Sequence, residues 1–191
     1  MSNQSNYLAF LNALSQGAPV SQALQAVQEP DKAPVSLSDV IHGLSHYFDE
    51  LMLARLTAES MPEKIRERIG RAVFVRLSVM EPYKASIATL TRQGLWPHHG
   101  ASMIHTAWQT ADQIWYWAGD EATDFNHYTK RTLLLAVMAP SMATWLGDVT
   151  EDHGKTKDTI EKAVARVMEI PKLKEKALTC LKSAPLIGRF F

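Results

Sequence analysis

PHHGASMIHTAWQTADQIWYWAG, residues 97–119, decides the fold class. Ile104, Trp108, Ala111, Trp115 and Ala118 recur at alternating steps of four and three, the spacing of one face of an α-helix. The stripe predicts a helix between Pro97 and Ala118 with two indoles on its buried side. Gly119 stops it, because glycine readily takes the left-handed backbone that closes a helix. After Asp120-Glu121-Ala122-Thr123, either Thr123 or Asp124 can cap a further helix running to about Leu146. Within it Leu133–Ala139 is apolar all round, so its middle is expected to be enclosed by other helices.

The same period extends in both directions. Tyr7, Leu8, Leu11 and Leu14 form a first helix ended by Gly17, and Val20, Leu24 and Val27 a short second one. Residues 29–35, with Pro30 and Pro34, form a loop and the weakest point for a boundary. Ser36 with Asp39 resembles a helix start leading to Val40, Ile41, Leu44, Phe48, Leu51 and Leu56. Ser60-Met61-Pro62-Glu63 reads as the better capping box, ahead of a helix through Ile65, Ile69, Val73, Leu77 and Met80 that Pro82 kinks or ends. From Lys155 on, one or two charged amphipathic helices follow, interrupted at Pro171 and Pro185. No segment alternates as a strand does, so the fold class is all-α.

At 191 residues the chain suits one sizeable core. Twenty basic residues balance twenty acidic ones, so no global field favours a polyanion. The single cysteine, Cys180, rules out an internal disulfide and a cysteine-rich zinc site, and it suits a reducing compartment. The first residues show neither a basic leader with an apolar stretch nor the arginines of a transit peptide. The longest nearly uniform apolar run, Leu133–Pro140, is far short of the ~20 residues that span a bilayer. The localisation expected on these grounds is a bacterial cytoplasm, with peripheral association at the inner membrane.

Catalytic patterns are missing. Among seven histidines there is no His-Glu-x-x-His pair, and no predicted helix carries Glu-x-x-His, so neither a zinc protease nor a carboxylate-bridged di-iron site can be assembled. No phosphate loop or nucleophile elbow is present. The reading is a non-enzyme with no cofactor and no metal. Ser45-His46-Tyr47-Phe48-Asp49-Glu50-Leu51 resembles the tyrosine-phenylalanine end of a TetR-type DNA-binding headpiece. Such a headpiece must neutralise phosphates. Here the first fifty residues hold one base, Lys32, against Glu29, Asp31, Asp39, Asp49 and Glu50, and nucleic acid is not an expected partner.

Ala111 through Arg131, ADQIWYWAGDEATDFNHYTKR, resembles the signature of the Coq-nine family, lipid-binding accessory proteins of ubiquinone biosynthesis. The likeness extends from about Ile87 to Asp148, and its motif residues are Asp112, Gly119, Asp120, Asp124, Asn126, Lys130 and Arg131. The resemblance implies a TetR-like helical bundle with a degenerate N-terminal headpiece, usually a homodimer, whose former regulator pocket holds an isoprenoid lipid or ubiquinone intermediate. It also implies a partner, the demethoxyubiquinone hydroxylase, to which substrate is presented. The alternative function is a TetR-like ligand-responsive transcriptional regulator. Where the family commonly has tryptophan this chain has His127, a departure that bears on the partner surface.

Three segments follow: a headpiece over 1–58, a lipid-binding helical domain over 59–170, and a basic amphipathic helix over 171–191. Leu90, Trp108, Trp115, Leu134, Val137, Met138 and Met142 are candidate lipid-lining residues, although a Met and Leu stripe is also ordinary core. Ile114 and Trp117 fall off the Trp115 face, and with His127 and Tyr128 they form a candidate partner-facing set; packing between helices is the other reading. Asp120 and Asp124 bracket the turn, as caps and as partners for Lys130 or Arg131. At the C-terminus Lys172, Lys174 and Lys176, with Leu178, Leu181, Phe190 and Phe191, can lie in an anionic membrane interface, or the helix can fold back on the body.

Overall fold

The computed structural model describes residues 2–28, 34–92, 100–120 and 125–183, with side chains described for 5–28, 34–91, 102–120 and 127–169. Eight α-helices occur among them: α1 (Ser2–Ser15), α2 (Val20–Gln25), α3 (Leu37–Thr57), α4 (Ile65–Met80), α5 (Lys84–Arg92), α6 (Gly100–Trp117), α7 (Phe125–Gly147) and α8 (Gly154–Ser183). The described residues include no strand, as the periodicity requires.

Local chemistry fixes most of the ends. Gly17 and Gly119 sit at φ +86° and +89°. Each closes its helix with paired backbone bonds: Gly17 N to Leu14 O and Ala18 N to Ala13 O, then Gly119 N to Tyr116 O and Asp120 N to Trp115 O. Ser36 and Asp39 form a reciprocal capping box, with the Asp39 amide donating to Ser36 Oγ at 3.2 Å and the Ser36 amide donating to Asp39 Oδ2 at 3.1 Å. Those hydrogen bonds from the Ser36 hydroxyl and amide hold the Asp39 carboxyl below its ordinary range.

Two expected boundaries are corrected. Ser60 and Glu63 do not cap α4, which starts two residues after Glu63 without a side-chain cap. Arg68 organises that entry instead, donating from Nε to Pro62 O at 2.7 Å and from Nη2 to Glu63 O at 3.2 Å. Nor does Pro171 interrupt the last helix, since α8 runs unbroken from Gly154 to Ser183. Pro82 does end α4, opening a single 3-10 turn over Glu81–Tyr83 before α5.

Packing joins the first 58 residues to the rest. α1 lies against α5 as well as α2 and α3, α3 packs on α4 and α6, and α8 lies along α7 and α4. Phe10, Leu11 and Leu14 of α1 share one core with Met52, Ile69, Ile114, Leu134 and Trp145. Ser86 Oγ donates to Leu11 O at 2.6 Å, fastening α5 to α1. The α7–α8 connection turns on Asp148, whose carboxylate accepts the hydroxyls and amides of Thr150 and Thr156. Those four donors, Thr150 first, hold its carboxyl far below the usual range.

The middle of α7 is not enclosed all round, contrary to the expectation from its composition. Leu134 and Val137 are buried, whereas Ala136, Ala139 and Pro140 face outward. Alanines make that outer face apolar by letter without supplying large side chains that must leave water.

Candidate functional site

The signature segment forms a clasp between the end of α6 and the start of α7. Asp120, set by the Gly119 closure, accepts Arg131 Nη1 at 2.9 Å and also the Lys130 ammonium. The other prong of Arg131 reaches Asp112 Oδ1, with Nη2 at 2.8 Å and Nε at 2.9 Å. Arg131 is 3 % exposed, and its guanidinium meets both carboxylates inside the protein. Trp115 is closed into the clasp: its indole N–H donates to Lys130 O at 3.1 Å, and the Lys130 ammonium stands 5.4 Å from the ring centroid. Arg68 Nη1 donates to Ala118 O at 2.9 Å and ties α4 to the same corner. Asp112, Trp115, Asp120, Lys130 and Arg131 thus hold two helix ends in register. Asp124 and the Asn126 side chain lie outside the described residues.

Outside the clasp is a hollow of about 370 Å³ between α3, α6 and the first turn of α7, lined by His42, His46, Glu50, Trp108, Asp112 and His127 among others. The ring of Tyr128, 63 % exposed, stands 6.1 Å from Trp108 and 5.2 Å from His127. His127 Nε2 is 3.4 Å from Asp112 Oδ1, so this expected partner-facing residue stands against a clasp carboxylate. At the hollow's base Asp49 accepts Arg76 Nε at 2.6 Å and the Thr110 hydroxyl. Burial pushes the Arg76 guanidinium below its ordinary range and Asp49 opposes it, while Arg76 Nη1 has no hydrogen-bond partner.

Of the expected partner-facing set, Tyr128 is exposed and His127 partly so. Trp117 is half-buried and packs on the core. Ile114 is corrected: at 0 % exposure it belongs to the interior. The inward stripe of α6 runs through Thr106, Thr110, Ala111, Ile114, Trp115 and Ala118, which turns Ile104 out to 56 % exposure. The hydroxyls of Thr106 and Thr110 find internal acceptors, at Met103 O and Asp49, so these polar letters are buried at little cost. Tyr116, 77 % exposed, is the surface aromatic that the spacing did not select.

Of the expected lipid-lining residues, Leu90, Trp115, Leu134 and Val137 are buried in the core, with Met138 and Met142 packed against it. Of the seven, only Trp108 lines either of the two cavities described here. The second cavity, about 640 Å³, is a groove between α4 and α8. Gly70 and Phe74 on one side and Ile160, Val164 and Met168 on the other supply its apolar surface. Gly70 and Phe74 lie off the α4 stripe of Ile65, Ile69, Val73 and Leu77, so the apolar spacing of that helix does not point to the groove. The side chains of Lys172, Lys174, Lys176, Leu178 and Leu181, and all of Phe190 and Phe191, lie outside the described residues. No helix of the described residues is long and apolar enough to cross a membrane.

Residues 101–171 match the COQ9 family model. The chain is 25 % identical over 147 residues to the probable ubiquinone biosynthesis protein coq9, mitochondrial, of Dictyostelium discoideum, covering 71 % of this chain and 48 % of that protein. It is 29 % identical over 122 residues to the human ubiquinone biosynthesis protein COQ9, mitochondrial, covering 64 % of this chain and 38 % of that protein. The bovine protein of the same name is 24 % identical over 127 residues, with 66 % and 40 % covered. The chain thus spans between about two fifths and half of the length of these relatives. Their names overturn the expected bacterial cytoplasmic localisation, since each describes a mitochondrial protein. The composition of the first residues, on which that expectation stood, carries no weight against relatives so much longer than the chain.

Proposed function

From its kinship with the COQ9 proteins, carried by residues 101–171, we propose that this chain is a non-enzymatic lipid-binding accessory protein of ubiquinone biosynthesis. Its ligand is an isoprenoid lipid or ubiquinone intermediate, and its partner is the demethoxyubiquinone hydroxylase that receives the substrate. The observation that carries this reading is the match over the segment whose charged residues build the α6–α7 clasp. That clasp fixes the geometry of one outer face, where Trp108, His127 and Tyr128 border the polar hollow. Aromatic side chains on a rigid, half-wet surface are the usual anchors of a protein interface. The partner therefore docks over Trp108, His127 and Tyr128, with Tyr116 and Trp117 at the margin.

The N-terminal 58 residues are a TetR-like headpiece that no longer reads DNA. α1, the short α2 and α3 keep the helix order of such a headpiece, while the acids of this region oppose phosphate contact. The basic end of α8 brings the protein to an anionic lipid surface, where each base contributes ~1 kcal/mol. A homodimer is the assembly that best suits the outward alanine face of α7.

Native mass spectrometry of gently purified protein tests the lipid reading. The expected spectrum carries an added mass that lipid extraction identifies as an isoprenoid or quinone. Delipidated protein that takes up no isoprenoid from vesicles would overturn it.

A further inference from the structure

We propose that the hollow between α3, α6 and α7 receives an arginine side chain of the docking partner, its guanidinium meeting the Trp108 ring and the carboxylates of Glu50 and Asp112. The inference rests on the reading of Trp108, His127 and Tyr128 as a docking surface and names the chemistry which that surface recognises.

Charge on the lining is unbalanced. Asp49, Glu50 and Asp112 give the hollow three carboxylates, and no lysine or arginine lines it. Two of the three meet a guanidinium of this chain from behind, Asp49 that of Arg76 and Asp112 that of Arg131. Glu50 does not. Its side chain is 56 % exposed and meets the His46 imidazole at 3.6 Å, with no ammonium or guanidinium beside it among the described residues. Asp112 also keeps an open oxygen. Arg131 Nε, Arg131 Nη2 and His127 Nε2 all contact its Oδ1, and Oδ2 has no donor among the described residues. Carboxylate oxygens left open at a hollow accept most strongly from a charged donor.

Trp108 supplies an observation independent of the acids. Phe48, Phe74, Trp115 and Trp145 each have a base of this chain within 6.0 Å of the ring centroid. Trp108 has none among the described residues, although an indole is the ring that attracts a cation best. Its ring neighbour is Tyr128, tilted at 35° to it. The hollow therefore offers aromatic surface and negative charge to a cation that the protein itself does not place there. The chemistry of the lining narrows that cation further. No group of described carboxylates and imidazoles is arranged to hold a metal ion. One carboxylate without a cationic partner, Glu50, matches a single positive charge and not a polyamine. A guanidinium stacks flat on an aromatic ring while its edge donates to a carboxylate, which an ammonium cannot do. Arginine is also a usual anchor of protein interfaces, and Tyr128, 63 % exposed beside Trp108, belongs to the surface on which the partner is placed.

The test is calorimetric binding of the full chain to the hydroxylase of the same organism at low salt. Glu50→Gln is expected to weaken binding several-fold and Glu50→Lys at least about tenfold, with unchanged melting temperatures because the position is exposed. Each arginine of the hydroxylase is then changed to glutamate in turn. One such change is expected to restore tight binding to the Glu50→Lys variant, which a merely structural role of Glu50 would not allow. Binding indifferent to Glu50→Lys, or a loss that no Arg→Glu change in the hydroxylase restores, would overturn the inference and leave the docking surface standing. A wild-type chain that does not bind the hydroxylase would overturn both.

Discussion

Replacing Arg131 by methionine separates a scaffold role for the signature from a contact role. The side chain keeps its unbranched stem but loses the guanidinium, taking one charge partner from Asp120, 6 % exposed and still beside Lys130, and one from Asp112, 48 % exposed and still beside His127 and water. Removing one partner of a buried ion pair typically costs about 3–5 kcal/mol. Lys130 remains on Asp120, so the lower end applies, about 3 kcal/mol. For a domain of this size that lowers the melting temperature by roughly 6–12 °C. Asp112→Asn touches the half-exposed side of the same fork and is expected to cost no more than about 1 kcal/mol. Arg131→Lys should recover less than half of the loss, because one ammonium cannot span two carboxylates as a guanidinium does. Urea and thermal denaturation of the three variants provide the comparison. A loss below about 1 kcal/mol for Arg131→Met, or equal losses at Arg131 and Asp112, would refute a buried clasp.

At Gly43 a Cβ would collide with the Tyr7 ring and hydroxyl, so Gly43→Ala should destabilise the wild type. In a Tyr7→Ala background it should instead stabilise by up to about 1 kcal/mol through helix propensity, and a cycle without that change of sign would contradict the contact. Asp148 has a folded pKa depressed from 3.8, so its contribution is present at neutral pH and lost as pH falls through the folded value. The stability gap between wild type and Asp148→Asn should therefore be widest near neutrality and narrow below about pH 4; a gap constant from pH 7 to pH 2 would contradict it. Lys172→Glu, Lys174→Glu and Lys176→Glu together should weaken binding to anionic vesicles at least 100-fold at low salt, at ~1 kcal/mol per base. Equal binding of variant and wild type would remove the membrane role of this end.

Periodicity carried the helices well because apolar spacing and helix ends are local. The Gly17 and Gly119 closures, the Ser36 start and the Pro82 stop each depend on a few neighbouring residues. Failures came where partners are remote in sequence. Ser60 and Glu63 have the letters of a capping box, yet Arg68 takes the carbonyls of that loop and α4 begins later. Pro171 is carried inside α8, which its local preference does not show. Ile114 packs between helices, the second of its two readings, because the half-buried Trp108 is not the anchor of the inward face of α6. Thr106 and Thr110 mark the true inward face, and their burial depends on acceptors, one of which is Asp49 on α3. The clasp was half legible: Asp120 with Lys130 or Arg131 follows from their closeness in sequence, whereas the second prong on Asp112 needs α6 and α7 to be antiparallel neighbours. The groove was the least legible feature, being made of ordinary core letters from two helices ninety residues apart.

The most direct measurement is the rate at which the hydroxylase turns over demethoxyubiquinone held in vesicles, with and without this protein. A carrier that withdraws the lipid and offers it to its partner should raise that rate in proportion to its concentration until the hydroxylase is saturated, and Tyr128→Ala should abolish the rise without loss of lipid uptake. A rate indifferent to the protein, under conditions where both partners are folded and the substrate is membrane-bound, would contradict it.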